Sequence, residues 1–287
     1  MTEPWITEPG LYPDVTPAQY HADPVVGGSL SSSGARALIP PSCPALFRWQ
    51  RDHPVHKNIF DFGSAAHRLV LGAGEDIVII EADNWRSKEA KAERDQARAE
   101  HKAPLLAKDY AIVEAMAAAI RAHPTAAALL HPDRGQPEQM LVWRDEPTGV
   151  MCRALLDWLP NPDSAGRLIV PDYKTSVSAE PDAFAKSAAN YGYHMQADFY
   201  LTGLRALGLA DDRAAFVFIV QEKTAPFLVT VAQLDDNAMR IGAGRNKWAR
   251  EVYAYAMVND HWPAWVEDIA YLPLPAWAEK TQGEGIL

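Results

Sequence analysis

The segment Ile169-Val170-Pro171-Asp172-Tyr173-Lys174-Thr175 carries the strongest structural signal in the chain. Alternate residues of a β-strand face the same side, so the side chains of Asp172 and Lys174 are expected to project together. The apolar residues that precede them indicate a strand that is buried along most of its length. An acid and an amine at the end of such a strand either pair with each other or serve a ligand.

The apolar stretch just before this segment ends in a second acid. Within Arg153-Ala154-Leu155-Leu156-Asp157, the side chains of Arg153, Leu155 and Asp157 share a face. If the two strands are neighbours, both carboxylates converge with Lys174. Two carboxylates beside a lysine suit metal-assisted hydrolysis, because Mg²⁺ prefers oxygen ligands and a lysine can orient the attacking water or stabilise charge on a phosphate. Taken alone, Asp-x-Lys is more often a plain ion pair.

The hydrophobic pattern along the rest of the chain predicts an α/β fold. Residues 1–28 are predicted to be an irregular N-terminal arm. Residues 29–287 are predicted to be a single domain, with a helical insertion at about 73–135 and an aromatic, proline-rich tail at about 260–287. The predicted strands cover residues 139–144, 150–159, 168–175, 216–221 and 227–231. The predicted helices include residues 59–72, 108–121, 183–207 with a break near Tyr191-Gly192, and 235–258.

Composition and charge bear on three classes of function: nucleic-acid binding, cysteine-based metal sites and membrane association. The chain has 287 residues with a net charge of −10, which argues against a nucleic-acid partner unless basic residues form a local patch. Cys43 and Cys152 are the two cysteines, too few for a four-cysteine zinc or iron–sulfur site. No signal peptide and no apolar run of about 18 residues is seen, so a cytoplasmic protein without a membrane partner is expected.

Several short motifs stand in an informative order. The series Gly63-x-x-x-His67, Asp157, Asp172-x-Lys174 and Gln196-x-x-x-Tyr200 resembles the motifs of the RecE and RecB branch of the PD-(D/E)XK nuclease superfamily. Three further stretches resemble parts of RecE-type phage exonucleases, the exodeoxyribonuclease VIII-like enzymes: Leu30-Ser31-Ser32-Ser33, Ser42-Cys43-Pro44-Ala45 with Phe47, and Gly149-Val150-Met151-Cys152-Arg153. The resemblance spans residues 28 to 235. It implies a restriction-endonuclease-like core, in which helices flank a central mixed β-sheet, with helical N-terminal additions.

The resemblance also implies roles for individual residues. The metal ligands would be His67, Asp157, Asp172 and the main-chain carbonyl of Tyr173, and the catalytic lysine would be Lys174. The implied metal is Mg²⁺, with Mn²⁺ able to substitute. The DNA-binding residues would be Gln196 and Tyr200, which are four positions apart on one helix face, together with Ser33 at the 5′-phosphate, Arg36 and Arg48. Arg153 would either touch a phosphate or hold an acid in place.

The resulting functional hypothesis is a metal-dependent exonuclease that acts 5′ to 3′ on double-stranded DNA ends and leaves a 3′ single strand for homologous recombination. The resemblance implies a single-strand annealing protein as partner and a closed homo-oligomeric ring. Such a ring would confine basic residues to its channel. No Walker A motif is present, so the chain carries no sign of a helicase motor. Two alternatives remain open: a structure-specific or restriction-like endonuclease with the same core, and a non-catalytic DNA-binding scaffold.

Overall fold

The structure is a computed structural model that describes residues 3–53, 59–162 and 167–283. Its strands are β1 (Gly10–Tyr12), β2 (Leu30–Ser31), β3 (Ile77–Ile80), β4 (Ala103–Leu106), β5 (Gly135–Arg144), β6 (Met151–Pro160), β7 (Ile169–Ser176), β8 (Ala215–Glu222) and β9 (Val229–Ala232). Its helices are α1 (Pro17–His21), α2 (Ser32–Leu38), α3 (Pro44–Asp52), α4 (Ile59–Leu71), α5 (Lys88–Ala99), α6 (Ala107–Ala122), α7 (Pro124–Leu129), α8 (Pro181–Tyr191), α9 (Tyr193–Ala206), α10 (Asp236–Asn259) and α11 (Ala276–Gly283).

The strands combine parallel and antiparallel pairing. One sheet has the order β1-β5-β6-β2, in which β5 and β6 form a long antiparallel hairpin and β2 runs parallel to β6. A second sheet has the order β7-β8-β9, in which β8 is parallel to β7 and antiparallel to β9. The predicted α/β fold with mixed strands flanked by helices is therefore confirmed, and β8 occupies the central position that its continuous apolar sequence predicts.

The two sheets meet between β6 and β7. The peptide N–H of Tyr173 in β7 donates a hydrogen bond of 2.7 Å to the Oδ2 atom of Asp157 in β6. Pro171 lies two residues earlier, on the same side of β7, and has no N–H to offer. The side chain of Asp157 thus takes the place of a strand carbonyl at this junction.

Apolar layers cover both faces of β7 and β8. On one face, α9 and α10 pack over a core that contains Trp143, Phe199 and Phe218, with the Trp143 and Phe199 ring centroids 4.9 Å apart. On the other face, α4 and α6 pack over Tyr173 and Ile219. The acidic end of β7 therefore lies between two apolar layers. None of the helices in the described ranges combines the length and apolar character that a bilayer crossing requires.

The N-terminal segment differs from the predicted irregular arm. Strand β1 pairs with β5, and α1 begins with a capping box between Thr16 and Gln19. The side chains of Ile6 and Val25 are buried against the first sheet. The prediction is wrong for these residues because the strand partner lies more than a hundred positions away, which local composition cannot reveal.

The predicted helical insertion at about 73–135 is also only partly helical. It contains β3 and β4, which pair in parallel as a separate two-stranded sheet. The β-branched run Ile77-Val78-Ile79-Ile80 is the signal that could have identified β3.

Candidate active site

A cavity of about 1190 Å³ opens where α4, β6, β7 and α9 meet. The structure brings five of the predicted site residues into its wall: His67, Asp157, Lys174, Gln196 and Tyr200. Asp172 lies directly behind this wall and is 1% exposed. The convergence that the sequence predicts for the two strand-end acids and the lysine is present.

Asp172 and Lys174 form a close ion pair. The Lys174 Nζ atom lies 2.6 Å from the Asp172 Oδ2 atom, and the Gln196 Nε2 atom donates a hydrogen bond of 2.7 Å to Oδ1. Burial raises the pKa of Asp172 to about 6, although Lys174 opposes this shift. Burial also works against a charged Lys174, but Asp172 and Asp157 outweigh it and raise the pKa of the amine. Lys174 is therefore a cation at neutral pH.

His67 on α4 approaches Asp157. The His67 Nδ1 atom lies 3.7 Å from the Asp157 Oδ2 atom. Burial, followed by the charge of Lys174, lowers the pKa of His67 to about 4, so the imidazole is neutral at pH 7 and the contact is not an ion pair. Burial raises the pKa of Asp157, against the effects of Lys174 and the Tyr173 N–H.

Gln196 and Tyr200 lie one helical turn apart on α9. Gln196 donates to one carboxylate oxygen of Asp172 and so orients this acid in the candidate site. Burial raises the pKa of Tyr200 well above its ordinary value, and the nearby Tyr20, Asp172 and Asp157 add to this shift. The Tyr200 hydroxyl therefore stays protonated and can donate a hydrogen bond inside the cavity.

Comparison with known families gives this geometry a context. A family model described as a PDDEXK-like domain of unknown function (DUF3799) matches residues 42–275, more than half of the chain. The chain belongs to this PDDEXK-like family. The predicted membership of the PD-(D/E)XK superfamily is thus confirmed. Nucleases of this superfamily usually use divalent metal ions.

A solved structure resembles the PDDEXK-like chain in fold. A protein from Eubacterium rectale, named "Putative exonuclease", matches with a TM-score of 0.61 and 12% sequence identity, over 94% of this chain and 99% of its own. A phage-related exonuclease from Haemophilus somnus 129PT matches with a TM-score of 0.32 and 11% identity, over 81% of this chain and 96% of its own. Among curated proteins, no match was found.

The donor chemistry of the site suits a divalent cation. Asp157 and Asp172 supply carboxylate oxygens, and His67 supplies a neutral imidazole. Within residues 3–53, 59–162 and 167–283, no three His, Cys, Asp or Glu side chains are already grouped as ligands of one ion. Both Asp172 oxygens are engaged, by Lys174 and Gln196, so coordination of a metal requires Asp172 to exchange one of these contacts.

Glu138 is a site residue that sequence reasoning missed. It lines the cavity and lies on β5, where Pro137 pairs with Trp158 and Gln139 pairs with Leu156. Glu138 therefore faces Asp157 across the hairpin, with φ of 52°, a strained value for a residue with a side chain. Burial raises the pKa of Glu138 to about 8, with smaller contributions from the charges of Asp157 and Glu75. Only the strand register reveals this pair of acids.

Glu138→Gln is expected to stabilise the metal-free protein at alkaline pH. The pKa of Glu138 is raised from 4.5 to about 8 in the folded state, so its contribution to stability is present at low pH and is lost as pH rises through about 8. Glutamine cannot ionise, so the variant keeps its stability as the pH rises. We expect its Tm to exceed that of the wild type by about 2–4 °C at pH 9, a value that allows for the partial exposure of the side chain. The difference should vanish at pH 4. Differential scanning calorimetry at both pH values checks this, and an equal difference at both would contradict it.

Arg153 does not face the cavity. Its guanidinium lies 2.9 Å from Asp23 Oδ2 and donates to the backbone carbonyls of Ser29 at 2.8 Å and Tyr20 at 3.2 Å. Arg153 therefore fastens the N-terminal segment to β6. Of the two roles left open for it, the described contacts favour holding an acid in place.

Arg153→Met is accordingly expected to lower the free energy of unfolding, by about 2–4 kcal/mol, because Asp23 loses the partner of a largely buried ion pair. Urea denaturation measures this change. Hydrolysis per folded molecule should fall less than threefold. Unchanged stability together with weaker DNA binding would restore the phosphate-contact role.

The other predicted DNA contacts lie away from the cavity wall. Ser33 is exposed, and its hydroxyl meets that of Ser31, which caps α2. The Arg36 guanidinium donates to the Tyr191 carbonyl at 2.7 Å. The Arg48 Nε atom donates to Asp52, at 2.8 Å. Each of these side chains has a local structural partner, and their DNA-binding roles remain proposals.

Proposed function

We propose that the chain is a divalent-metal-dependent deoxyribonuclease in which His67, Asp157 and Asp172 hold the metal, aided by the Tyr173 carbonyl, and Lys174 acts on the phosphate. The observation that carries the proposal is the convergence of Asp157, His67 and the Asp172–Lys174 pair at one cavity, with separations of 3.7 and 2.6 Å. The family match supplies the nuclease class. Mg²⁺ is the proposed ion, with Mn²⁺ as substitute.

Each residue of the site has its own role in the proposed hydrolysis. A divalent ion bound there would activate water and neutralise charge on the phosphate. Lys174, which stays protonated, donates to a phosphate oxygen and stabilises the charge that develops on it. Its raised pKa makes it a poor general base. Gln196 holds the Asp172 carboxylate in one orientation, and the neutral imidazole of His67 offers a lone pair without adding positive charge.

For the substrate, we propose double-stranded DNA ends, digested 5′ to 3′ in homologous recombination with a single-strand annealing protein as partner. The RecE-type motifs support this choice, and the name of the Eubacterium rectale protein supports only the exonuclease part of it. A homo-oligomeric ring would reconcile the net charge of −10 with DNA binding, because only Lys174 and Lys223 among the described lysines and arginines line the cavity. A ring would gather further basic side chains around the DNA.

The substrate proposal is tested with linear duplexes labelled at the 5′ or the 3′ end, and with a covalently closed circle, in Mg²⁺ and in Mn²⁺. We expect early release of the 5′ label as mononucleotide and an intact circle. Cleavage of the circle would favour the endonuclease alternative. Intact DNA of every form, in either metal, would favour the non-catalytic scaffold.

A further inference from the structure

A row of aromatic rings runs from the core to the mouth of the cavity beside Lys174. The Phe184 and Tyr193 rings stack with centroids 5.8 Å apart, and the Tyr191 ring follows at 5.8 Å from Tyr193 with an interplanar angle of 32°. The Lys174 Nζ atom lies 5.4 Å from the centroid of Tyr193. Tyr191 ends the row at the cavity mouth and is 59% exposed.

The backbone at Tyr191 is held firmly although its side chain is exposed. Tyr191 is the last residue of α8, and Gly192 follows in the left-handed conformation with φ of 70°. Arg36 donates to the Tyr191 carbonyl at 2.7 Å, and a Cβ atom at position 192 would lie 2.8 Å from the Arg36 Cδ atom. Arg36 therefore packs tightly against the turn and holds the backbone from which the Tyr191 ring projects. Exposure alone would mean little, but this ring also contacts Tyr193, and the Lys174 amine lies over the Tyr193 ring.

We propose that Tyr191 stacks on a nucleobase of the strand whose phosphate contacts Lys174, which makes it a substrate-positioning residue. Aromatic side chains stack on any base because every base has a π-face, and a nearby cation can meet the phosphate of the same strand. Two contacts, of 5.4 and 5.8 Å, separate the Lys174 amine from the Tyr191 ring. A phosphate at Lys174 and a base at Tyr191 could therefore belong to the same nucleotide or to two adjacent nucleotides. The inference rests on the proposed nuclease function and adds to it the requirement for an unpaired base at the cavity mouth.

The test compares Tyr191→Ala and Tyr191→Phe with a matched control, Tyr255→Ala. Tyr255 lies on α10, is 60% exposed and is absent from the cavity wall. Each protein is assayed for kcat and KM on two linear duplexes, one with normal termini and one with abasic sites at the terminal nucleotides. Binding is followed separately in Ca²⁺, by the fluorescence quenching of 2-aminopurine placed at the terminus.

On the normal duplex, Tyr191→Ala is expected to raise KM by about 5- to 100-fold, the effect of losing one base stack, and to reduce the quenching. Tyr191→Phe and Tyr255→Ala should match the wild type. On the abasic duplex, the wild type and Tyr191→Ala should have the same KM, since no base remains to stack. An equal effect of Tyr191→Ala on both duplexes, or no effect on either, would overturn the proposal. An inactive wild type that still quenches through Tyr191 would overturn the nuclease function and leave the stacking proposal supported.

Discussion

Replacing Lys174 by methionine is expected to reduce the rate of phosphodiester hydrolysis by about 10³-fold. The Nζ atom lies 2.6 Å from Asp172 Oδ2, and the raised pKa of the amine keeps it protonated. Methionine preserves most of the apolar stem and removes the charge that would meet the phosphate. Single-turnover rates on linear DNA, at saturating Mg²⁺, measure the loss without interference from product release.

The same variant also disturbs the fold, because it leaves Asp172 without its ion-pair partner. Removal of one member of a buried pair typically costs about 3–5 kcal/mol. Protonation of Asp172, whose pKa is already raised to about 6, limits this cost at acidic pH. The double variant Asp172→Asn/Lys174→Met removes both charges, and we expect it to regain most of the stability and none of the activity. Recovery of hydrolysis in the double variant would contradict a catalytic role for the pair.

Asp157→Asn is expected to weaken divalent-metal binding by at least about 100-fold, since loss of an outer-shell partner alone costs 10- to 100-fold. Asparagine keeps an oxygen that can accept the 2.7 Å hydrogen bond from the Tyr173 N–H, so the junction of β6 and β7 should persist. The variant therefore separates metal binding from folding. Isothermal titration with Mn²⁺ measures the affinity, and circular dichroism monitors the fold.

Asp198→Asn is the matched control for this change. Asp198 is a half-buried acid on α9 whose pKa is also raised by burial, and it accepts a hydrogen bond of 2.8 Å from Asn246. It does not line the cavity, so its replacement should leave the Mn²⁺ affinity unchanged. Equal losses in the two variants would indicate a general effect of removing a carboxylate and would argue against Asp157 as a ligand.

Much of the fold follows from periodicity that local sequence displays. The alternating and continuous apolar runs of β6, β7 and β8 identify these strands, and the Gly192 break between α8 and α9 lies where the sequence predicts it. The convergence of Asp157 and Lys174 also follows, because strand geometry fixes which side chains share a face. Neighbouring strands then bring the two faces together.

The parts that sequence reasoning missed depend on long-range contacts. Strand β1 exists because β5 pairs with it, and Glu138 becomes a site residue only when the hairpin register places it opposite Asp157. Arg153 illustrates the converse error. It shares a strand face with Asp157, yet it forms an ion pair with Asp23, which is far away in sequence. Residue type and spacing predict which groups can do chemistry, whereas packing determines which of them are free to do it.

The most direct test of the central claim is single-turnover hydrolysis of a mixture of linear, circular and single-stranded DNA. The wild type and the Asp172→Asn/Lys174→Met variant are compared, each with Mg²⁺ and with EDTA. We predict cleavage by the wild type in Mg²⁺ alone, and none by the variant despite its intact fold. Cleavage that persists in EDTA, or in the folded variant, would contradict the assignment of a metal-dependent nuclease site to this cavity.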